Sequence, residues 1–386
     1  MNIHYTSTDF GLGKSSTEEI VKDEVDRFLI FLKQKEGKPF LVQGVFNLPV
    51  LNVFWYFCAG QRYEYDDPKL VHLLTNVDKL LRVLDSGRAS SLLHLTLPAC
   101  IFRLFPKFLD RHVPIEVFAM IRDFLSNTIE EHSGAVNEEN PKDFIEAFIA
   151  EISNTTDLDS SFYGSYGKKN LLETLVDLLV AGSETTSTTL TWGMLYMIRY
   201  PDVQQKVQQE LDSMIGRSCS PMYSDRSRLP YTEATIMEIH RCANINPMQI
   251  FHYNCEDIEV NGMRIPANTM ISPLMSEILK GDHWGEDKDM FRPERFLDQN
   301  GELVVDEHLI PFGIGRRHCP GESLAKIELF QFFTGKNIFS LFHRNNVPKL
   351  KFQGTRIVKF LEELLKVLAN STQNLRYLNL TFSDKV

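Results

Sequence analysis

Cys319 lies in a loop rich in glycine and arginine, residues 311–322, and a helical pattern follows this loop directly. A cysteine just before a helix N-terminus gains the helix dipole and amide hydrogen bonds, which stabilise the thiolate that binds metals. Gly313, Gly315 and Gly321 would let the backbone pass close to a flat macrocycle. The loop therefore predicts a lowered pKa for Cys319 and ligation of a heme iron by its sulfur.

Two more side chains of this loop suit a heme. Arg317 could pair with a heme propionate, because a guanidinium binds carboxylates through parallel hydrogen bonds. Phe312 could pack beside the sulfur, whereas His318 is expected to have no role. The alternative for any single cysteine is a buried, inert thiol, but the combined pattern favours the heme ligand.

A run of hydroxyl and acidic side chains, residues 181–186, lies within a long helical pattern. Such a run favours a local distortion with bound water, because hydroxyls compete for backbone hydrogen bonds. Gly182 would leave room for a ligand, and Thr185 on the same face could point its hydroxyl at dioxygen. Glu184 could supply protons. The alternative is a packing feature without a catalytic role, which is the commoner use of such runs.

Glu238 and Arg241 are three positions apart in a helical pattern and therefore share one face. Arg295 offers a second guanidinium that could close a buried cluster with them. A lone pair at this spacing is usually a solvated surface feature. Buried ion pairs add little net stability but are costly to break, so we expect these three residues to hold the fold.

Helical periodicity predicts the elements that must hold these residues. Apolar residues recur at helical spacing over 15–32 and 170–199, and Pro201 begins a second amphipathic helix after the long one. Helix resumes at Glu322. The chain is therefore expected to be mainly helical.

A small β region interrupts the helices. Residues 258–260 and 269–272 are strand-like, and Asn261-Gly262 is the turn signal between them. The expected fold class is mainly α with a small β region. Two stretches of loop composition are residues 134–143 and 153–169.

The composition excludes a nucleic-acid binder, because the 386 residues carry a formal net charge of -10. Six cysteines without a C-x-x-C pair favour a reducing compartment over a disulfide framework. We expect neither a signal peptide nor a membrane-spanning helix, since no apolar run reaches the required length. The apolar stretch 91–108 predicts either core with turns or a membrane-dipping, substrate-entry surface.

The three polar elements, in this order, resemble the cytochrome P450 family. The resemblance covers about residues 10–341, and its signature Phe-x-x-Gly-x-Arg-x-Cys-x-Gly occupies residues 312–321. It implies the cytochrome P450 fold, incomplete at both ends. Residues 63–68, 181–192 and 291–298 are further similar to the animal microsomal branch that oxidises xenobiotics, fatty acids and steroids.

The resemblance assigns roles residue by residue. It implies that Cys319 is the axial ligand of heme b and that Arg317 contacts a propionate. His252 stands where that branch often places another propionate contact, although the residues around it are atypical. Thr185 and Glu184 would take part in oxygen activation, and the cluster of Glu238, Arg241 and Arg295 would be structural.

The implied reaction is insertion of one oxygen atom from O2 into a small lipophilic substrate. Electrons would come from NADPH through NADPH–cytochrome P450 reductase, docking near Arg316 and Lys326. The implied location is the cytosolic face of the endoplasmic reticulum membrane. The alternative reading is a non-catalytic fragment that binds heme poorly, because early helices and strands of the family have no counterpart in this chain.

The resemblance divides the chain into two regions. Residues 1–341 would form a partial cytochrome P450 domain without the membrane anchor and early elements. Residues 342–386 would form an atypical tail, either leucine-rich-repeat-like or an artefact of the gene prediction. A single repeat cannot bury its own apolar face, so an interaction module built on this tail is the weakest hypothesis.

Overall fold

Helices dominate the computed structural model, which describes residues 15–34, 44–85, 112–134, 141–217, 219–335 and 338. Those of the first half are α1 (Ser15–Lys33), α2 (Asn47–Ala59), α3 (Pro68–Asp85), α4 (His112–Ser133) and α5 (Phe144–Asn154). Those of the second half are α6 (Gly164–Arg199), α7 (Pro201–Met214), α8 (Pro230–Ala243), α9 (Met275–Lys280) and α10 (Glu322–Thr334).

The 36-residue helix α6 is the axis of the fold. It packs against α2, α4, α5, α7, α8 and α10. One core cluster includes its first half, with Leu171 and Leu175, and a second includes Leu190 and Met194 near its end. Residues at helical spacing on several faces of α6 are therefore buried by different neighbours.

Helix α6 begins at Gly164, before the predicted start, so the loop predicted over 153–169 is shorter than expected. A Cβ added at Gly167 would lie 2.2 Å from the carbonyl oxygen of Phe162. Only glycine allows this close approach, which lets the first turn of α6 continue directly from the preceding turn. The predicted helices at α1, α7 and α10 are confirmed.

The strands of the described residues form two separate antiparallel pairs: β1 (His252–Tyr253) with β4 (Met270–Ile271), and β2 (Ile258–Val260) with β3 (Met263–Ile265). The predicted turn is confirmed, since Asn261 and Gly262 both have positive φ, 49° and 76°. The sequence placed this turn between strands 258–260 and 269–272, but strand 258–260 pairs with residues 263–265. Residues 269–272 lie across from β1 instead, because the hairpin closes on β3.

Several predicted features fall outside the described residues. They are the apolar stretch 91–108, the leucine-rich tail 342–386, and part of the loop 134–143. Within the described part of the chain, no helix is both long and apolar enough to cross a bilayer.

Candidate functional site

The Cys319 loop is held closed by its own backbone. The Cys319 N–H donates to the carbonyl oxygen of Phe312 at 2.9 Å, and the His318 N–H donates to that of Gly315 at 3.1 Å. A short 3₁₀ turn, Gly315–Arg317, fills the loop, and α10 begins at Glu322. The cysteine therefore stands immediately before a helix, as the sequence predicted.

The predicted pKa of Cys319 was wrong in direction. Burial raises the pKa of this thiol above its ordinary value, and the Glu322 carboxylate raises it further. The expected amide hydrogen bonds from Gly321 and Glu322 do exist and lower the pKa, but they are outweighed. In the protein alone the sulfur is a half-buried thiol, and metal coordination would be needed to deprotonate it.

The glycines of the loop keep its backbone in conformations that other residues avoid. Gly313 and Gly315 have φ of +75° and +72°. An added Cβ at Gly313 would lie 2.8 Å from the side-chain nitrogen of Gln249, whereas nothing lies within 4 Å of one at Gly315. At Gly321 a Cβ would lie 3.9 Å from the Cys319 sulfur. The side of the loop at Gly315 is therefore open.

The three other side chains predicted to contact the heme, Phe312, Arg317 and His252, lie in different environments. The ring of Phe312 packs edge-on against His240, with centroids 5.2 Å apart, and the Lys326 ammonium lies 5.9 Å from its centroid. Arg317 is exposed and, among the described residues, has no acidic partner. His252 is half-buried in β1. Arg317 is thus free to receive a carboxylate.

Thr185 lies on an exposed face of α6. Its hydroxyl donates to the carbonyl oxygen of Ala181 at 2.9 Å, and the hydroxyl of buried Thr189 donates to that of Thr185 at 2.9 Å. The predicted distortion was wrong, because α6 stays α-helical throughout. The hydroxyls bond the carbonyls one turn earlier and leave the helix continuous.

Gly182 does not leave the room that was expected for a ligand. A Cβ added there would meet the ring of Phe54 at 3.5 Å, so this side of α6 packs against α2. Glu184 is also tied to α2, since one oxygen accepts from the side-chain amide of Asn47 at 3.1 Å. Its other oxygen accepts from the Thr188 hydroxyl at 3.3 Å. Thr185, rather than Gly182, borders open space.

Glu328 of α10 is a buried residue that the sequence reasoning missed. Its side chain is 2% exposed, and one of its oxygens has no hydrogen-bond partner. Burial raises its pKa well above the ordinary value, and a hydrogen bond with Thr186 of α6 partly opposes this rise. An acid within the apolar run 327–333 was the available signal. The raised pKa favours the neutral carboxyl, and its hydrogen bond with Thr186 links the cysteine helix to α6.

Glu238, Arg241 and Arg295 come together in one buried cluster. Arg241 binds both oxygens of Glu238, at 2.7 and 2.9 Å, and Nε of Arg295 lies 3.0 Å from the second of these oxygens. The Arg292 N–H donates to the same oxygen at 2.8 Å. Arg241 also donates to the carbonyl oxygen of Met290 at 3.1 Å. The cluster joins α8 to the segment after α9.

These surroundings fit a thiolate-held heme. The Cys319 sulfur is half-buried and receives amide hydrogen bonds, the loop is open at Gly315, and Arg317 offers a free guanidinium. Sulfur as a donor and a guanidinium for a propionate are the chemistry that such a group requires. Cys319, Arg317 and the loop glycines are the residues that would hold it.

Comparison with known proteins gives consistent results. The sequence profile described as Cytochrome P450 matches residues 2–344. Cytochrome P450 2B19 of Mus musculus is 34% identical over 334 residues, which is 85% of this chain and 65% of that protein. Cytochrome P450 2D6 of Pan paniscus is 38% identical over 336 residues, again 85% and 65%. The chain thus spans 65% of the length of these curated relatives.

Proposed function

The chain belongs to the cytochrome P450 family, and on that premise we propose that it is a heme-thiolate monooxygenase. It inserts one oxygen atom from O2 into a small lipophilic substrate of the xenobiotic, fatty acid or steroid class. NADPH supplies electrons through NADPH–cytochrome P450 reductase. The part responsible is the partial domain of residues 1–341, followed by the atypical tail 342–386, and it acts at the cytosolic face of the endoplasmic reticulum membrane.

One observation carries this proposal. The Cys319 sulfur stands at the start of α10 and receives hydrogen bonds from the amides of Gly321 and Glu322. The backbone bond from Cys319 to Phe312 fixes the loop in this position. Once iron binding has removed the proton, the helix dipole would help to stabilise the thiolate, and hydrogen bonds to the sulfur would adjust its electron donation.

A heme held at this site would supply the redox chemistry of the reaction, in which one atom of O2 goes to the substrate and the other to water with two electrons from NADPH. Cys319 would hold the iron, and Arg317 and His252 would receive the propionates. Gly313, Gly315 and Gly321 keep the loop backbone free of side chains beside it.

Thr185 and Glu184 handle protons at this site. The Thr185 hydroxyl hydrogen bonds to Ala181 within its own helix and lies on an exposed face, so it can turn outward toward the oxygen substrate. Glu184 precedes it and accepts hydrogen bonds from Asn47 and Thr188, which is the pattern of an ionised carboxylate. Glu184 would take up a proton from solvent and pass it to Thr185, which replaces the proton that the Thr185 hydroxyl has given up.

Two surfaces would serve the partners of the reaction. The reductase would dock on the side of the cysteine loop, where Arg316 and Lys326 are exposed. Residues 91–108, outside the described part of the chain, would provide a surface for the membrane and for substrate entry.

The test is the absorption spectrum of the reduced, carbon monoxide-bound chain, expressed with and without added heme. The matched variants are Cys319→Ala and Cys255→Ala, since Cys255 is also a free thiol but is exposed and outside the loop. A strongly red-shifted Soret band that is lost only in Cys319→Ala supports the proposal, and turnover with reductase and NADPH would follow. No heme signal with added heme would favour the alternative, a non-catalytic fragment.

A further inference from the structure

A polar cavity lies beside the Glu238 cluster, and no residue of the 311–322 loop lines it. Its volume is about 110 Å³. It opens between the end of α6, the end of α8 and the segment that follows α9. The residues that line it are Tyr196, Tyr200, Arg241, Cys242, Lys280, Lys288, Asp289 and Phe291.

Aromatic packing fixes one wall of this cavity. The ring of Phe291 stacks on that of Tyr196 with centroids 4.4 Å apart and planes 5° apart, and it lies 5.1 Å from that of Tyr200. Both phenols are therefore held by a shared partner. A rigid wall of this kind lowers the entropic cost of placing a hydrogen-bond donor.

Cys242 lies near three other polar residues of the lining, Arg241, Tyr196 and Lys280. The Cys242 sulfur lies 3.0 Å from Nη2 of Arg241. The phenol of Tyr196 is close enough to Cys242 and Tyr200 for both to influence its titration, and Lys280 likewise influences Cys242. Burial raises the pKa of Tyr196 and that of Cys242, so both remain protonated, and the Cys242 thiol donates to Oε1 of Glu238 at 3.6 Å.

Three of the four charged residues that line the cavity are cations. Arg241 is balanced by Glu238, and Lys288 lies 2.5 Å from the exposed carboxylate of Asp282. Lys280 is half-buried and has no carboxylate within ion-pairing distance in the part of the chain that the structure describes. Asp289 is the one acidic residue among the lining residues. Donors thus exceed acceptors among the lining side chains, and the Lys280 ammonium forms no direct ion pair with a described carboxylate.

We propose that this cavity binds a single phosphate-type oxyanion, with Lys280 as its main charge partner and Tyr196, Tyr200 and Lys288 as further donors. The volume corresponds to roughly three or four water molecules at about 30 Å³ each, which suits one tetrahedral oxyanion. Such an anion accepts hydrogen bonds in several directions and needs no donor of its own.

The direct test is ³¹P NMR of inorganic phosphate titrated with the purified full chain, beside its thermal unfolding midpoint in phosphate. Neither readout requires heme, so its outcome is independent of the proposed monooxygenase activity. We expect the phosphate resonance to broaden and the midpoint to rise above the value in chloride or acetate of equal ionic strength. Lys280→Met should weaken binding about tenfold or more, since a charge-assisted hydrogen bond is lost.

Lys168→Met is the matched control, because Lys168 is an exposed lysine on the first turns of α6 and outside the cavity. It should bind phosphate as the unaltered chain does. Lys288→Met provides a second cavity variant if Lys280→Met fails to fold. Equal phosphate effects in the Lys280 and Lys168 variants, or an effect no larger than that of chloride, would overturn the proposal.

A phosphate monoester such as phosphoserine separates two sources of the same group. Competition by the monoester against inorganic phosphate would point to the phosphoryl group of a larger ligand. Binding of inorganic phosphate alone would point to the free ion. Both results support an oxyanion site, and binding of neither probe contradicts it.

Discussion

The Nε2 atom of His132 lies 3.2 Å from Oδ2 of Asp143, and these two buried side chains tie the end of α4 to the start of α5. Nδ1 of His132 also lies 2.7 Å from the carbonyl oxygen of Thr128. Asp143 raises the pKa of His132 to about 9, partly opposed by burial. The histidine is therefore charged at neutral pH, and the pair forms a buried ionic link.

Because of this link, the free energy of unfolding should fall as the pH becomes alkaline. The folded-state pKa of His132 lies above the ordinary 6.5, so its stabilisation is complete below about 6.5 and is lost as pH rises through about 9. Asp143→Asn keeps an N-cap for α5 but removes the charge, and should cost about 3 kcal/mol at pH 6. The free energy of unfolding, measured from pH 6 to 9.5, should show this difference shrinking. Glu151→Gln, an exposed change on the same helix, is the control; a constant difference for Asp143→Asn would contradict the link.

Substitutions of Glu238 and of Arg295 should lower the free energy of unfolding by different amounts. Glu238→Gln would leave two buried guanidiniums without their carboxylate and should cost about 3–5 kcal/mol. Arg295→Met should cost less, because Arg241 still binds both oxygens of Glu238. Urea unfolding of the two variants gives the order. Equal losses would mean that Arg295, rather than Arg241, provides most of the compensation for Glu238.

Glu328 should be a residue whose replacement stabilises the protein. The folded-state pKa of Glu328 lies well above the ordinary 4.5. Burying this carboxyl therefore costs no unfolding free energy below about pH 4.5, where it is protonated in both states, and the cost grows as pH rises. Glu328→Gln keeps the shape and removes the ionisation. Its unfolding midpoint should exceed that of the unaltered chain by more at pH 7.5 than at pH 5. Glu307→Gln reports the same change at an exposed site, and a gain independent of pH at Glu328 would show that its carboxyl is not held neutral.

Replacing Thr185 should affect the reaction, whereas replacing Thr189 should affect stability. Thr185 is exposed, so Thr185→Ala should change the free energy of unfolding by less than about 0.5 kcal/mol. Under the proposed function it should lower the product formed per NADPH consumed, because the hydroxyl that handles protons is gone. Thr189→Ala removes a buried hydroxyl and should cost about 1 kcal/mol without lowering that ratio. An unchanged ratio in Thr185→Ala would exclude the role proposed for its hydroxyl.

The sequence by itself determined the features that depend on short spacings. Glycines and arginines around Cys319, and the helical pattern after it, predicted a loop that ends at a helix start. The spacing of Glu238 and Arg241 placed both on one helix face, and Asn261-Gly262 predicted a turn with two positive φ angles. Local backbone preferences act within a few residues, so the sequence carries them directly.

Tertiary structure alone decided the features that depend on burial and distant partners. The pKa of Cys319 rises because burial outweighs its local amide bonds, and Gly182 meets Phe54 of another helix instead of a ligand. Glu328 and Thr186 are far apart in sequence and meet only because α10 packs on α6. Desolvation is a property of the surrounding fold and not of a residue and its chain neighbours, so no local pattern could set these values.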